Sequence, residues 1–156
     1  MTGQILYAID RATPHEIAAH LLRCDARFVP PLSERVAIPA YAAKIGMHAA
    51  RFEAWVDGAL VGLAAAYLNG AVRCAFVTNV SVVAEHCRSG IATRLLEQLV
   101  EHARRLGFRR VSLEVSSGQR AAVRLYERCG FAADGEIGGA RRMVLDLEKT
   151  GVGNNA

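Results

Sequence analysis

The spacing of apolar positions changes several times along the chain, and each change marks an element. The short apolar run "ILYAID" reads as a strand. Thr13-Pro14-His15-Glu16 then reads as a helix start. Thr13 can accept an amide hydrogen bond as N-cap, Pro14 suits the first helical position, and Glu16 completes a capping box. That helix is expected to reach about Cys24. The next segment, "FVPPLSERVAIP", is broken by prolines at 30, 31 and 39. Ser33 is expected to cap a short helix there, and "AYAAKIG" to add a turn or two. From Arg51 the pattern is that of strands. "RFEAWV" and "ALVGLAAAYL" flank Asp57-Gly58, a pair that supplies the positive φ angles of a tight hairpin turn. Asn69-Gly70 is read the same way, ahead of "VRCAFVTNVSVV". Three antiparallel strands in series follow from this.

The second half changes period again. Ile91, Leu95, Leu96, Leu99, Val100, Ala103 and Leu106 fall on one helical face, and Gly107 ends the helix. "RVSLEV" reads as a strand and "RAAVRLYERC" as a helix stopping at Gly130. "FAADGEI" and "RRMVLDLE" form a closing hairpin. The predicted order is β-α-α-β-β-β-α-β-α-β-β, an α/β fold with a mixed sheet and helices on its faces.

Composition narrows the classes. At 156 residues and 52% hydrophobic, the chain fits a single domain over 1–149 with a sizeable core, and 150–156 are read as a flexible tail. The net charge of +4 fits an anionic ligand. Arginine pairs at 104–105, 109–110 and 141–142 have no stacking aromatics beside them, so nucleic acid is not an expected partner. The four cysteines, Cys24, Cys74, Cys87 and Cys129, form no CxxC pair and show no metal-ligand spacing with histidine. No metal is expected, and a reduced, cytoplasmic compartment is. The amino terminus lacks the basic head and apolar run of a signal peptide. No apolar run reaches membrane-spanning length, so no membrane partner is expected.

The stretch "EHCRSGIATRLL", Glu85 to Leu96, carries the first candidate chemistry. The first amides of a helix lack internal partners and favour an anion. Small residues and one glycine let backbone approach a diphosphate, and Arg88 and Arg94 stand nearby. The GxxxxGK[ST] spacing of a P-loop and the dinucleotide GxGxxG are both absent. An ordinary helix entry that binds nothing has the same appearance.

A later segment, "LEVSSGQRAAVRLYERCGF", resembles the late motif of the GNAT acyltransferase superfamily: LEV, a polar gap, Asn, Ala, Leu-Tyr-Glu, then Gly-Phe. Leu113-Glu114-Val115 begin it, Gln119 stands at the asparagine position, Ala122 at the alanine, and Leu125-Tyr126-Glu127 and Gly130-Phe131 complete it. The earlier loop is similar to the same family's acyl-CoA signature, Arg/Gln-x-x-Gly-x-Gly/Ala, with Cys87, Gly90 and Ala92 at the marked positions. The resemblance covers about Arg51 to Glu148. It implies a GNAT fold, a central mixed sheet of about seven strands flanked by about four helices, and acetyl-CoA as co-substrate. It also implies that Val80, Ser81 and Val82 hold the pantetheine arm, and that Cys87, Arg88, Ser89, Gly90, Ile91, Ala92 and Thr93, with Gln119 and Ala122, bind the cofactor. Two positions depart from the family pattern. Cys87 replaces Arg or Gln, so the grip is expected from backbone amides. Gln119 offers the asparagine's amide one methylene further out.

The resemblance also implies direct acetyl transfer to a primary amine in a ternary complex, without a covalent enzyme intermediate. Tyr126 is then the candidate acid for the leaving thiolate. Glu114 is the candidate base, a role it has in some relatives that share the LEV segment. A solvated or structurally paired Glu114 and a half-buried structural Tyr126 are the plain alternatives. His48, His86 and His102 show no paired geometry. Cys87 has no visible acid/base partner. Trp55 and Phe52 read as core. The acceptor, a small-molecule or protein amine, is not legible. Homodimers occur in the family, and the sequence leaves this open. A non-catalytic acyl-CoA-binding module is the competing reading.

Overall fold

A computed structural model describes residues 3–148, so the expected tail, 150–156, lies outside the described residues. The elements are β1 (Leu6–Ile9), α1 (Pro14–Cys24), α2 (Ile38–His48), β2 (Ala49–Val56), β3 (Ala59–Asn69), β4 (Cys74–Val82), α3 (Ile91–Arg105), β5 (Arg110–Ser116), α4 (Arg120–Arg128), β6 (Ala132–Ile137) and β7 (Ala140–Asp146). Short helical turns lie at Asp25–Arg27, Leu32–Glu34 and Ala84–His86. The strands form one seven-stranded sheet, ordered β1-β2-β3-β4-β5-β7-β6. Every neighbouring pair is antiparallel except β4 and β5. No helix among the described residues is long and apolar enough to cross a membrane.

The predicted order holds, and the local signals explain most of it. Thr13 caps α1 with the full capping box: its hydroxyl accepts from the Glu16 amide, and Glu16 accepts from the Thr13 amide. Asp57 and Gly58 both take positive φ, 51° and 79°, as a tight hairpin turn requires.

Four details differ. Asn69-Gly70 does not make a two-residue turn. β3 ends at Asn69 and β4 begins at Cys74, with the Asn69 side chain accepting from the Ala71 amide and Arg73 in the left-handed region. Ser33 caps no helix, since it sits inside its turn and bonds Asp25 instead. The segment read as a turn or two is an eleven-residue helix, α2, whose Ile38, Ala42 and Ile45 are buried. Leu106 lies past the end of α3 and is half exposed, so it is not on the core face.

The sheet is covered on both sides. The core between the sheet and α3 and α4 holds Phe52, Ala54, Val61, Ala64, Val77, Leu95, Leu99 and Leu113. The core between the sheet and α1 and α2 holds Trp55, Leu60, Leu63, Ala65, Ile17, Leu21 and Ile45. β3 feeds both cores by alternation, which is why its sequence is an almost unbroken apolar run.

The close seating of α3 depends on Gly62. A Cβ there would stand 2.7 Å from Ile91 Cγ2 and 3.2 Å from Leu95 Cδ1, both on α3. Ile91 opens that helix, so the contact fixes where its first amides lie. Gly62→Ala is expected to lower stability by about 1–3 kcal/mol, which chemical denaturation of the variant checks.

Candidate functional site

β4 and β5 are neighbours for only part of their length. Their parallel pairing runs from Cys74/Arg110 to Val77/Leu113 and stops. Beyond it, β5 stays paired to β7 through Ser116, and β4 stays paired to β3 through Val82. The cause lies in β4. Its register with β3 steps from Ala66↔Val77 to Ala65↔Asn79, so Thr78 is an extra, bulged residue. A bulge bends its own strand and increases the twist. Here that carries β4 away from β5 right after their last pair. Tyr41 of α2 holds the bulge: its hydroxyl lies 2.8 Å from the Thr78 carbonyl, to which it donates, and 2.7 Å from the Thr78 hydroxyl.

A cavity of about 710 Å³ occupies the gap. Its walls include Val77 to Val82 of β4, Leu113 to Ser116 of β5, the α3 entry and one side of α4. The register settles which parts of β4 face it. The Val83 amide donates to the Val61 carbonyl opposite, so Ser81 and Asn79, in step with Val83, also turn their backbone groups to β3. Val80 and Val82 turn theirs to the opening. Of the three residues expected along the pantetheine arm, two therefore present backbone and Ser81 does not. The Ser81 side chain is also engaged, with His20 at 2.9 Å and Asn79 at 2.7 Å.

At the far end of β4 the gap meets α3. Gly90 is its N-cap at φ 81°, no side chain caps the helix, and no acid sits in its first turn. No backbone carbonyl among the described residues takes the amides of Gly90, Ile91, Ala92 or Thr93. Arg88 and Ser89 precede them, and Arg88 lines the cavity. Cys87 lines it too, yet its thiol donates towards the Val83 carbonyl at 3.5 Å and its amide donates to Ala84. Neither group is left for a ligand. Ala122 and Gln119 lie on the α4 side. The Gln119 Nε2 donates to the Arg27 carbonyl at 3.0 Å, so its donor ties down the α1–α2 connection.

The two catalytic candidates approach from opposite faces of the sheet. Tyr126 of α4 lies in the core beneath α3 and α4, edge-on to Phe131, and lines the cavity. Burial pushes its phenol well above the usual range, so it stays protonated. Glu114 is exposed and lines the cavity. Strand alternation puts it on the face opposite Leu113 and Val115, which lie in Tyr126's core, and so on the side of α1 and α2.

The sequence reading missed His20. It is fully buried on α1, with Nδ1 3.1 Å from the Leu60 carbonyl and Nε2 2.9 Å from Ser81 Oγ. Desolvation lowers its pKa to about 4, opposed by the Leu60 carbonyl and aided by the Arg23 charge. It is therefore neutral, with Nδ1–H donating to the Leu60 carbonyl and Nε2 facing the Ser81 hydroxyl, which itself donates to Asn79 Oδ1. A signal existed: Ile17, His20, Leu21 and Cys24 have the spacing of a buried helix stripe, with histidine in an apolar slot. Glu53 was missed for a similar reason. It is buried on β2, where it accepts from the Arg11 and Ala12 amides, Trp55 Nε1 and the Arg51 guanidinium. Burial also pushes the Cys24 thiol up to about 11, which leaves it inert. No cluster of metal-ligating side chains occurs among the described residues.

A parted pair of parallel strands leading into a free helix N-terminus defines an acyl-CoA N-acyltransferase type of fold. Comparison with known proteins agrees. The model of the acetyltransferase (GNAT) family matches residues 16–131, and the chain belongs to that family. It is 36% identical over 77 residues to the "Probable N-acetyltransferase camello" of Xenopus tropicalis, a match over 49% of this chain and 35% of that protein. It is 38% identical over 57 residues to the "Probable N-acetyltransferase 14" of the same organism, over 36% of this chain and 28% of that one. The chain thus matches only about a third of the length of these curated relatives. Among solved structures, the ribosomal-protein-S18-alanine N-acetyltransferase of Escherichia coli superposes with a TM-score of 0.73 at 24% identity, covering 91% of this chain and 94% of that one. A Thermoplasma acidophilum N-acetyltransferase in complex with coenzyme A gives 0.72 at 12% identity, covering 90% and 99%. These two likenesses concern the fold.

The His20 shift makes a prediction. Its folded pKa lies below the unfolded value of 6.5. The unfolded chain therefore binds a proton between pH 6.5 and about 4 that the folded chain refuses. Stability is fully present above that window and falls as pH drops through it, by about 3 kcal/mol if the site stays rigid. His20→Gln should flatten the fall in thermal midpoint between pH 7 and 4.5. An unchanged slope would assign the acid lability to other groups.

Proposed function

We propose that this chain transfers an acetyl group from acetyl-CoA to a primary amine, by direct attack while both substrates are bound. The observation that carries this is the unpaired stretch of β4 running into the unpaired first-turn amides of α3. One groove then offers the donors of an added strand at one end and a diphosphate seat at the other. Acetyl-CoA supplies the acyl group already activated as a thioester.

The residues of the chain divide the remaining work. The amides of Gly90 to Thr93, with Arg88, hold the diphosphate. The backbone of Val80 and Val82 holds the arm in the gap and places the thioester near the parting of the strands. Glu114 takes a proton from the incoming amine on the α1–α2 side. The new N–C bond forms as the C–S bond breaks, and the thiolate takes the Tyr126 proton on the α4 side. Burial keeps Tyr126 protonated at rest, so its hydroxyl is available to the thiolate as a hydrogen-bond donor, although the same burial makes it a weaker acid. Neither Cys87 nor Cys24 takes part, since the first is bonded to backbone and the second is held as a thiol.

Release of free thiol from acetyl-CoA across a panel of amines tests the reading. Tight coenzyme A binding with no release from any amine would make the chain a binding module. Tyr126→Phe should lower kcat by about 10²-fold with the coenzyme A Kd unchanged. Glu114→Gln should remove the acidic limb of the pH–rate profile, and a limb that persists would take the base role from Glu114.

A further inference from the structure

The connection between α1 and α2 brings two arginines to the cavity wall, Arg27 and Arg35. Neither forms an ion pair among the described residues. Asp25, the nearest acid along the chain to Arg27, is already engaged, and Glu34, the neighbour of Arg35, forms no ion pair among the described residues. The Asp25 oxygens accept from the Ser33 amide and hydroxyl, both at 2.7 Å, and these bonds hold its carboxyl below the usual range. Of the cavity's lining side chains, only Glu114 is a carboxylate.

The segment that carries these arginines meets the cavity beside α4 and α2. Arg27 presents its backbone carbonyl to Gln119 at the start of α4, and Arg35 stands three residues before α2, whose Tyr41 is bonded to Thr78, where β4 leaves β5. The connection packs over the β5–α4 loop, where a Cβ on Gly118 would touch Val29. It thus overhangs the same face that carries Glu114.

One acid to receive an amine and two arginines without ion pairs on the same cavity describe a ligand with both charges. We propose that the acceptor bears a carboxylate close to its primary amine, and is a free amino acid. This rests on the acetyl-transfer reading above. The cavity volume, about 710 Å³, is shared with the cofactor arm, which leaves room for a small acceptor. Phe28 and Val29 complete its wall and suit an apolar side chain. A polyamine fits poorly, because its further ammonium groups would meet Arg27 and Arg35 with one carboxylate to offset them.

Calorimetric titration of the full chain saturated with coenzyme A tests this without requiring turnover. The probes are leucine, methionine and phenylalanine, their three carboxamides, and spermidine. At least one amino acid should bind more tightly than its amide. Arg35→Gln and Arg27→Gln should each weaken that amino acid by about five-fold, leave its amide unchanged, and make the preference less sensitive to salt. Amides that bind as well as the acids, spermidine binding best, or no amino acid binding at all would overturn the proposal. Thiol release is scored separately. Selective amino-acid binding without release would remove the transfer reading and keep the ligand class. Release with amides or spermidine preferred would do the reverse.

Discussion

The site depends on one missing set of hydrogen bonds. β4 and β5 part after Val77 and Leu113 because Thr78 is an extra residue in β4. An unpaired strand edge inside a sheet is costly unless something covers it. The fold tolerates it because each parted strand keeps its outer partner, β3 for β4 and β7 for β5. Only the inner edges are left, and they line a cavity instead of a core. The bulge is itself anchored, by a Tyr41 hydroxyl from α2. A single register step thus creates the opening, aims Val80 and Val82 into it, and fixes its inner end.

Buried polar groups keep that geometry in place. His20, Ser81 and Asn79 form a bonded line from α1 to β4 on the α1–α2 face. Arg51 and Glu53 do the same further out, joining β2 to the β1–α1 turn and the end of α2. The Arg51 guanidinium donates to the carbonyls of Gly46 and Ala12. A buried ion pair adds little stability by itself. This one leaves few polar atoms wanting, and it brings together segments that apolar packing alone would leave free to slide. Both networks lie under α1 and α2, the helices whose connection reaches the cavity wall.

The strands, the main helices and the motif loop were legible because their signals are local. Thr13 to Glu16, Asp57-Gly58 and the apolar stripe of α3 each specify their own conformation. The α1–α2 region was not, since prolines hid the eleven-residue α2. Within the candidate site, the loop's backbone was more legible than its side chains. No backbone carbonyl among the described residues takes the amides of Gly90 to Thr93, as a helix entry implies. Ser81, Cys87 and Gln119 carry side chains that looked available in one dimension and are engaged in three, with His20, the Val83 carbonyl and the Arg27 carbonyl. Such partners are far apart in sequence, and no period encodes them.

The departures from the family pattern gain a physical account from the same contacts. A thiol at position 87 is short and apolar enough to turn inward against the β4 carbonyls, where a longer charged side chain would have to project outward. It closes the turn before α3 and leaves charge to Arg88, whose positive φ of 68° is the local strain of that turn. The extra methylene of Gln119 has a use as well, because it lets the amide span to Arg27 on the other side of the cavity. The side chain at the asparagine position thus ties the α4 entry to the connection that carries Arg27 and Arg35.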